Sequence, residues 1–436
     1  AESPAQLKRA LDALARKGWI ATNTGTYRVS PVVQKIVLHR NKERLWELGA
    51  PVVERLNGIF ENEGYHSKNI AMAAPFAEMV FGLAKHMNTT NKDLIMLFDR
   101  LWVYYNATGN LAKALDIAER MGAFCEKIDE KNGLAISYSK LGETHSALGN
   151  LDRALICFEQ DMQLSKELYE AFPQNVSFKN GLAISYEKLG STHSALGNLD
   201  RALTYFEQYN QLEEELYEAY PQNVLFKNVL AISYSKLGST HSALGNSDRA
   251  LTYFEQCNQL EKELHEAYPQ NVEFKNSLAI SYQCLGITHS ALGNLDHALI
   301  YFEQYNQLEK ELHEANPQNV EFTNVLAISY SKLGETQVAL GNPDRALTYF
   351  EQDIELSKEL YEMYPQNVEF KNGLAISYAK LGELNRDHLS NLSRAKAWFQ
   401  QAEALWIELV RDAPQYAQFQ KFLALVQQVL TALEGA

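Results

Sequence analysis

The sequence predicts an all-α solenoid, and three observations carry that prediction. A block beginning Asn132-Gly133-Leu134-Ala135-Ile136-Ser137-Tyr138 returns with its Asn at Asn180, Asn228, Asn276, Asn324 and Asn372, a constant step of 48 residues. Each block holds two stretches with apolar residues at helical spacing, divided by Gly-Asn. Each block then runs to a proline: Pro173, Pro221, Pro269, Pro317, Pro365. A fixed period of this size means units that bury their apolar faces only by stacking on their neighbours.

One unit shows how each element arises. Asn175, just after Pro173, is the expected N-cap of a first helix whose apolar positions recur through Leu196. Gly197-Asn198 break the chain, Leu199-Asp200-Arg201-Ala202-Leu203 open a second helix, and Pro221 stops it after about Tyr220. Both helices reach about 20 residues, beyond the globular average. Tyr138, Leu141, Gly142, Gly149, Ala154 and Phe158 recur as Tyr186, Leu189, Gly190, Gly197, Ala202 and Phe206. In order and spacing these residues resemble the tetratricopeptide repeat, with the prolines at its closing position. The resemblance implies a right-handed superhelix, an α-solenoid whose first helices line the concave wall. Two departures stand out: the unit is 48 residues rather than the family's usual 34, and the second-helix Ala is replaced by Asp161, Tyr209, Cys257, Tyr305 or Asp353.

The array accounts for residues 132–414. Residues 1–43 read differently. Ser3-Pro4 opens a helix carrying Leu7, Leu11, Leu14 and Ala15 on one face. Trp19-Ile20-Ala21-Thr22 and Thr26-Tyr27-Arg28-Val29 then read as two short strands around Asn23-Thr24-Gly25, and a further helix starts after Ser30-Pro31. Helix, hairpin and helix make the latter half of a winged helix, so the chain reads as a piece of a longer protein. Residues 44–131 form an irregular helical connector, with stripes from Leu45 to Phe60 and from Ile70 to His86. Gly109 and Ala114 stand 40 residues before Gly149 and Ala154, which marks a degenerate opening repeat. At the far end the sixth unit loses its pattern at Leu384-Asn385-Arg386-Asp387-His388, and residues 415–436 supply a capping helix.

A winged helix running into helical repeats resembles the STAND signalling ATPases (signal transduction ATPases with numerous domains). The run Gly18-Trp19-Ile20 to Tyr27-Arg28-Val29-Ser30-Pro31 carries that resemblance. It implies an ATP- or ADP-bound nucleotide domain in the same parent chain. It also implies a repeat array that senses a protein or peptide inducer and relays it to the winged helix. Ser30 stands where many members carry a nucleotide-contacting His.

Composition narrows the function classes. The formal net charge is −14, but residues 1–44 carry +6 and the remainder −20. An acidic array is a poor match for nucleic acid. The basic head, with Lys8, Arg9, Arg16, Lys17 and Arg28, leaves a DNA-binding regulator as one alternative and a plain interaction scaffold as another. No apolar stretch is long enough to span a membrane, and the start lacks an apolar signal core. Cys125, Cys157, Cys257 and Cys284 show no paired spacing and read as reduced thiols in the cytoplasm. The chain contains no phosphate loop ending in Lys-Ser/Thr, no HExxH helix and no nucleophile elbow, so no catalytic residue, metal or cofactor is assigned to this piece.

Candidate binding residues come from comparing repeats. Fixed apolar columns are read as core. Asn132, Ile136, Ser139, Glu143 and Ser146 share one first-helix face through +4, +3, +4, +3 spacing. Two columns on it vary: Ser139, Glu187, Ser235, Gln283, Ser331, Ala379, and Glu143, Ser191, Ser239, Ile287, Glu335, Glu383. Variation there suits a shaped binding wall; the alternative is drift on solvated helices. The fourth unit, with Gln283, Cys284 and Ile287, is the least charged and is expected to form an apolar spot. Asn180, Asn228, Asn276, Asn324 and Asn372 are invariant along the same stripe and form either a ladder for a peptide backbone or bonds to neighbouring helices. The column His145, His193, His241, His289 is read as packing. Neighbouring repeats sit about 10 Å apart, too far for shared ligands at zinc's roughly 2.1 Å. Glu-rich runs such as Glu213-Glu214-Glu215 are read as solvated outer faces.

Overall fold

The computed structural model describes residues 20–23, 26–29, 45–62 and 92–434, together with residue 40 and several positions in 70–80. The chain divides into two compact units, Ala1–Asn198 and Leu199–Ala436.

In the first unit, β1 (Ile20–Asn23) and β2 (Thr26–Val29) pair antiparallel, with Ile20 opposite Val29 and Asn23 opposite Thr26. This is the hairpin expected from the sequence. The helices expected on either side of it, and Ser30, lie outside the described residues. Helices α1 (Leu45–Asn62), α2 (Lys92–Ala107) and α3 (Leu111–Lys127) follow. They share a core with Ile70, Ala73, Ala77 and Val80. Gly109 turns between α2 and α3 at φ +72°, and Ala114 is fully buried. Regular repeats begin with α4 (Lys131–Ala147), α5 (Leu151–Ala171) and α6 (Val176–Ala195).

The second unit continues with α7 (Leu199–Ala219), α8 (Val224–Ala243), α9 (Ser247–Ala267), α10 (Val272–Ala291) and α11 (Leu295–Ala315). It ends with α12 (Val320–Ala339), α13 (Pro343–Met363), α14 (Val368–Asp387), α15 (Leu392–Asp412) and α16 (Ala417–Glu434). Within this unit each helix packs on the next in sequence. The local causes recur. Asn223 caps α8 by accepting from the backbone N–H of Leu225 and Phe226, and Asn271 caps α10 in the same way. Gly245 leaves α8 at φ +77°, which lets Asn246 N–H donate to the His241 carbonyl at 2.8 Å and closes the helix end.

Packing within a hairpin depends on Leu-Gly and Phe. A Cβ placed on Gly286 would stand 2.6 Å from Phe302, so only glycine lets α11 approach α10 this closely. The small Ala250, Ala298, Ala346 and Ala395 are fully buried at the same joints. Between repeats the stitching is polar. Asn210, Asn258 and Asn306 on second helices donate to Ser233, Ser281 and Ser329 on the following first helices at 2.9, 2.8 and 2.7 Å. Each serine also donates to a carbonyl one turn back in its own helix, so these buried hydroxyls are satisfied. The last helix, α16, buries Phe419, Val426 and Leu430, with Phe422 against Trp406 at 5.4 Å between ring centres.

Two sequence readings are corrected here. Glu213 is not on a solvated face: its side chain is fully buried, because position 213 of α7 points inward while Glu214 and Glu215 are half-buried. The invariant isoleucines of the first helices are not all core, as described next.

Candidate interaction face

The stripe read from the repeats lies on one side of the first helices, and the structure sorts its members. In the first unit, Asn180, Glu187 and Ser191 are half-buried on α6, and Ser191 Oγ donates to Glu187 at 2.8 Å. Lys188 of α6 reaches Glu143 of α4 at 3.4 Å. Asp161 of α5 lies beneath them, and burial pushes its carboxyl up to about 7 against the pull of hydrogen bonds from Ser165 and Ser139.

In the second unit, Asn228, Asn276 and Asn324 are half-buried on α8, α10 and α12, and Ser235 shares that state while Ser239 is open. Four predicted positions are engaged within the fold. Asn372 accepts from Trp406 Nε1 at 3.0 Å, so in this repeat the Asn bonds a neighbouring helix. Gln283 donates to the buried Tyr305 hydroxyl at 3.2 Å. Ser331 is a correction to the open wall: it is only 7% exposed, because Lys380 from α14 crosses over and donates to its Oγ at 2.7 Å. The same lysine pairs with Glu335 at 2.5 Å, and Lys332 adds a second contact at 3.0 Å. Burial pushes the Glu335 carboxyl up, but the two lysines outweigh it and hold it below the usual carboxylate value.

Sequence reasoning passed over the feature that dominates this face. Ile232, Ile280 and Ile328, one per first helix, are 40%, 45% and 40% exposed, and Ile287 is 43% exposed. Ile280 and Ile287 are seven residues apart, two turns along the same side of α10. The signal was available: Ile136 falls on the stripe by helical spacing, yet an invariant apolar column was assigned to core. Neighbouring positions remove charge around Ile287. Lys380 and Glu335 bridge α14 to α12, whereas the equivalent pair between α10 and α8 is Cys284 and Ser239. On α10 of the fourth unit, Ile280 and Ile287 are thus exposed beside the uncharged Cys284 and Ser239, whereas Ile328 lies on the helix that carries Lys332 and Glu335.

The histidine column packs rather than converges. His241 stacks on Tyr253 at 5.5 Å and His289 on Tyr301 at 5.3 Å, and burial lowers both imidazole pKa values. Among the described residues no group of three His, Cys, Asp or Glu is placed to hold a metal. The four cysteines are unpaired thiols. No described helix is long and apolar enough to cross a membrane.

Family comparisons match what the geometry shows. Tetratricopeptide-repeat models match residues 134–174, 183–215, 231–263 and 329–360. No curated protein matches the chain. Similar solved structures include RapI in its apo form, 11% identical over 74% of this chain and 99% of that one, at a TM-score of 0.48. BtubC (BKLC) from P. vanneervenii is 16% identical over 59% of this chain and 93% of that one, at 0.45. A tetratricopeptide repeat protein from Parabacteroides merdae is 15% identical over 76% of this chain and 98% of that one, at 0.42. Over the matched residues, with its helix-capping asparagines, Leu-Gly/Phe joints and consecutive helix pairs, the chain carries tetratricopeptide repeats.

Proposed function

We propose that the array is a protein-interaction module whose first-helix face takes an extended, largely apolar segment of a partner protein. The observation that carries this reading is the patch Ile232, Ile280, Ile287 and Ile328, exposed on three successive first helices. Covering an isoleucine that is nearly half exposed returns on the order of 1 kcal/mol, so four together support a micromolar-class contact once ordering costs are met. Asn228, Asn276 and Asn324 beside the patch offer donors and acceptors to a peptide backbone. The test is partner capture by the Gln283→Lys/Ile287→Lys double variant, both positions lying on α10. Binding should fall at least tenfold with far-UV circular dichroism unchanged; undiminished capture would move the site elsewhere.

The narrower reading makes this module the sensor of a STAND-class ATPase, with the partner as inducer. Its support is the paired hairpin of β1 and β2 ahead of the helical array. In that reading the array is non-catalytic. Nucleotide is held by a separate domain of the parent chain, and no residue described here is assigned to it. An inducer shifts the parent only if it binds the active state more tightly than the resting one. A phosphate-binding loop encoded upstream of Ala1 supports this role; a DNA-binding half in its place, or neither, returns the reading to a regulator or a scaffold.

A further inference from the structure

We propose a second binding site, on the side of the array away from the isoleucines, that takes an arginine side chain of a partner polypeptide. The site is a cleft of about 670 Å³ formed by α7, α8 and α9. Leu230, Leu260 and the rings of Tyr217 and Tyr234 line it, with Glu214, Glu218 and Glu255 as its only charged lining residues. Tyr234 stands two residues after Ile232 in α8, about 200° around the helix, so the cleft and the isoleucine patch open on different sides.

The repeat supplies its own control. A cleft of about 560 Å³ recurs one unit later, and each lining residue sits 48 positions after its counterpart. There Lys262 replaces Glu214, His265 replaces Tyr217 and Ile300 replaces Thr252. Lys262 Nζ lies 5.3 Å over the ring of Tyr282, the equivalent of Tyr234, and in the next unit Lys310 lies 5.1 Å over Tyr330 in the same way. Two successive repeats thus lay a cation of their own over this tyrosine. At Tyr234 the chain instead offers Glu214, which accepts from the tyrosine hydroxyl at 2.8 Å. The nearby Lys227 lies 5.8 Å from the Tyr217 ring and is held by Glu263 at 2.8 Å. A ring that its equivalents pair with a cation, set beside three carboxylates, matches a guest cation from outside. Arginine fits better than lysine because its planar fork stacks on an aromatic face while bonding a carboxylate.

The test is leucine-methyl NMR of the full chain titrated with an eight-residue peptide of alternating arginine and serine. Parallel titrations use lysine–serine and glutamate–serine versions. The Leu230 and Leu260 methyls should shift with the arginine peptide, several-fold more weakly with lysine and not with glutamate. Glu214→Lys, which installs the residue of the next cleft, should weaken the response at least tenfold. Lys262→Glu should create a new response at Leu278 and Leu308. Silent Leu230 and Leu260 methyls, an equal response to lysine, or shifts unaffected by Glu214→Lys would each overturn the proposal. The isoleucine face reports through other residues, so the two sites stand or fall separately.

Discussion

Glu213, Glu261 and Glu309 set up the sharpest test of how the array is held together. They recur at 48-residue steps on α7, α9 and α11 and are at most 3% exposed. Both carboxyl oxygens of Glu213 and Glu309, and Oε2 of Glu261, are buried without a hydrogen-bond partner. Burial therefore pushes each carboxyl from 4.5 up to about 7. The folded chain holds these protons longer than the unfolded one. Stability from this source is complete below about pH 4.5 and is lost as pH rises through 7. A shift of two and a half units corresponds to about 3 kcal/mol per carboxyl once fully ionised.

Glu261→Gln removes the ionisation and keeps the shape. A neutral glutamic acid and a glutamine leave similar buried polar atoms, so the two proteins should nearly match in acid. The variant should gain under about 1 kcal/mol at pH 5 and about 3 kcal/mol at pH 8. Urea unfolding followed by far-UV circular dichroism at both pH values measures this. Glu263 and Glu311, whose pKa values are lowered first by hydrogen bonds from Lys227 and Lys275, respond to pH in the opposite sense. They are common to both proteins and cancel in the difference. A gain that is the same at pH 5 and pH 8, or a variant less stable at pH 8, would refute the reasoning.

Two further predictions address the joints. Gly286→Ala forces a Cβ to 2.6 Å from Phe302 and should cost roughly 2 kcal/mol by the same urea assay, with Phe302→Leu in the double variant recovering part of it. Asn258→Ala removes the donor that Ser281 receives at 2.8 Å between repeats and should cost about 1 kcal/mol, with hydrogen exchange quickening at the α9–α10 joint ahead of the other joints.

Much of this architecture was legible because it depends on backbone chemistry that few residues can satisfy. Gly245 at positive φ, Asn271 as N-cap and Gly286 against Phe302 each have a local cause, and repetition multiplies the signal. The binding face was half legible. Helical spacing placed Asn276, Gln283 and Ile287 on one side, but not that Gln283 turns to Tyr305 or that Lys380 covers Ser331. Those outcomes depend on which long side chain from the adjacent helix reaches across, and spacing within one helix carries no such information.

The buried glutamates were misread for a related reason: in an acidic second helix, one inward Glu looks like its solvated neighbours. The repeats nevertheless encode the difference. Where the second helix carries Asp161 or Asp353, Ser165 or Ser357 follows four residues on and donates to that carboxylate at 3.1 Å. Where it carries Tyr209, Cys257 or Tyr305, the residue four on is Glu213, Glu261 or Glu309. Each of these five second helices thus places one acid in this pair of inward positions, either bonded by a serine or carrying a carboxyl oxygen without a partner one turn later. The three unpartnered acids fall on α7, α9 and α11, the helices that also donate Asn210, Asn258 and Asn306 to the next repeat. In these repeats the asparagine bond and the strained carboxyl occupy the same joint. The stretch that presents Ile232, Ile280 and Ile287 is therefore also one that a rise in pH should loosen, as it should the Asp161 joint of the first unit, whose carboxyl is likewise pushed up to about 7.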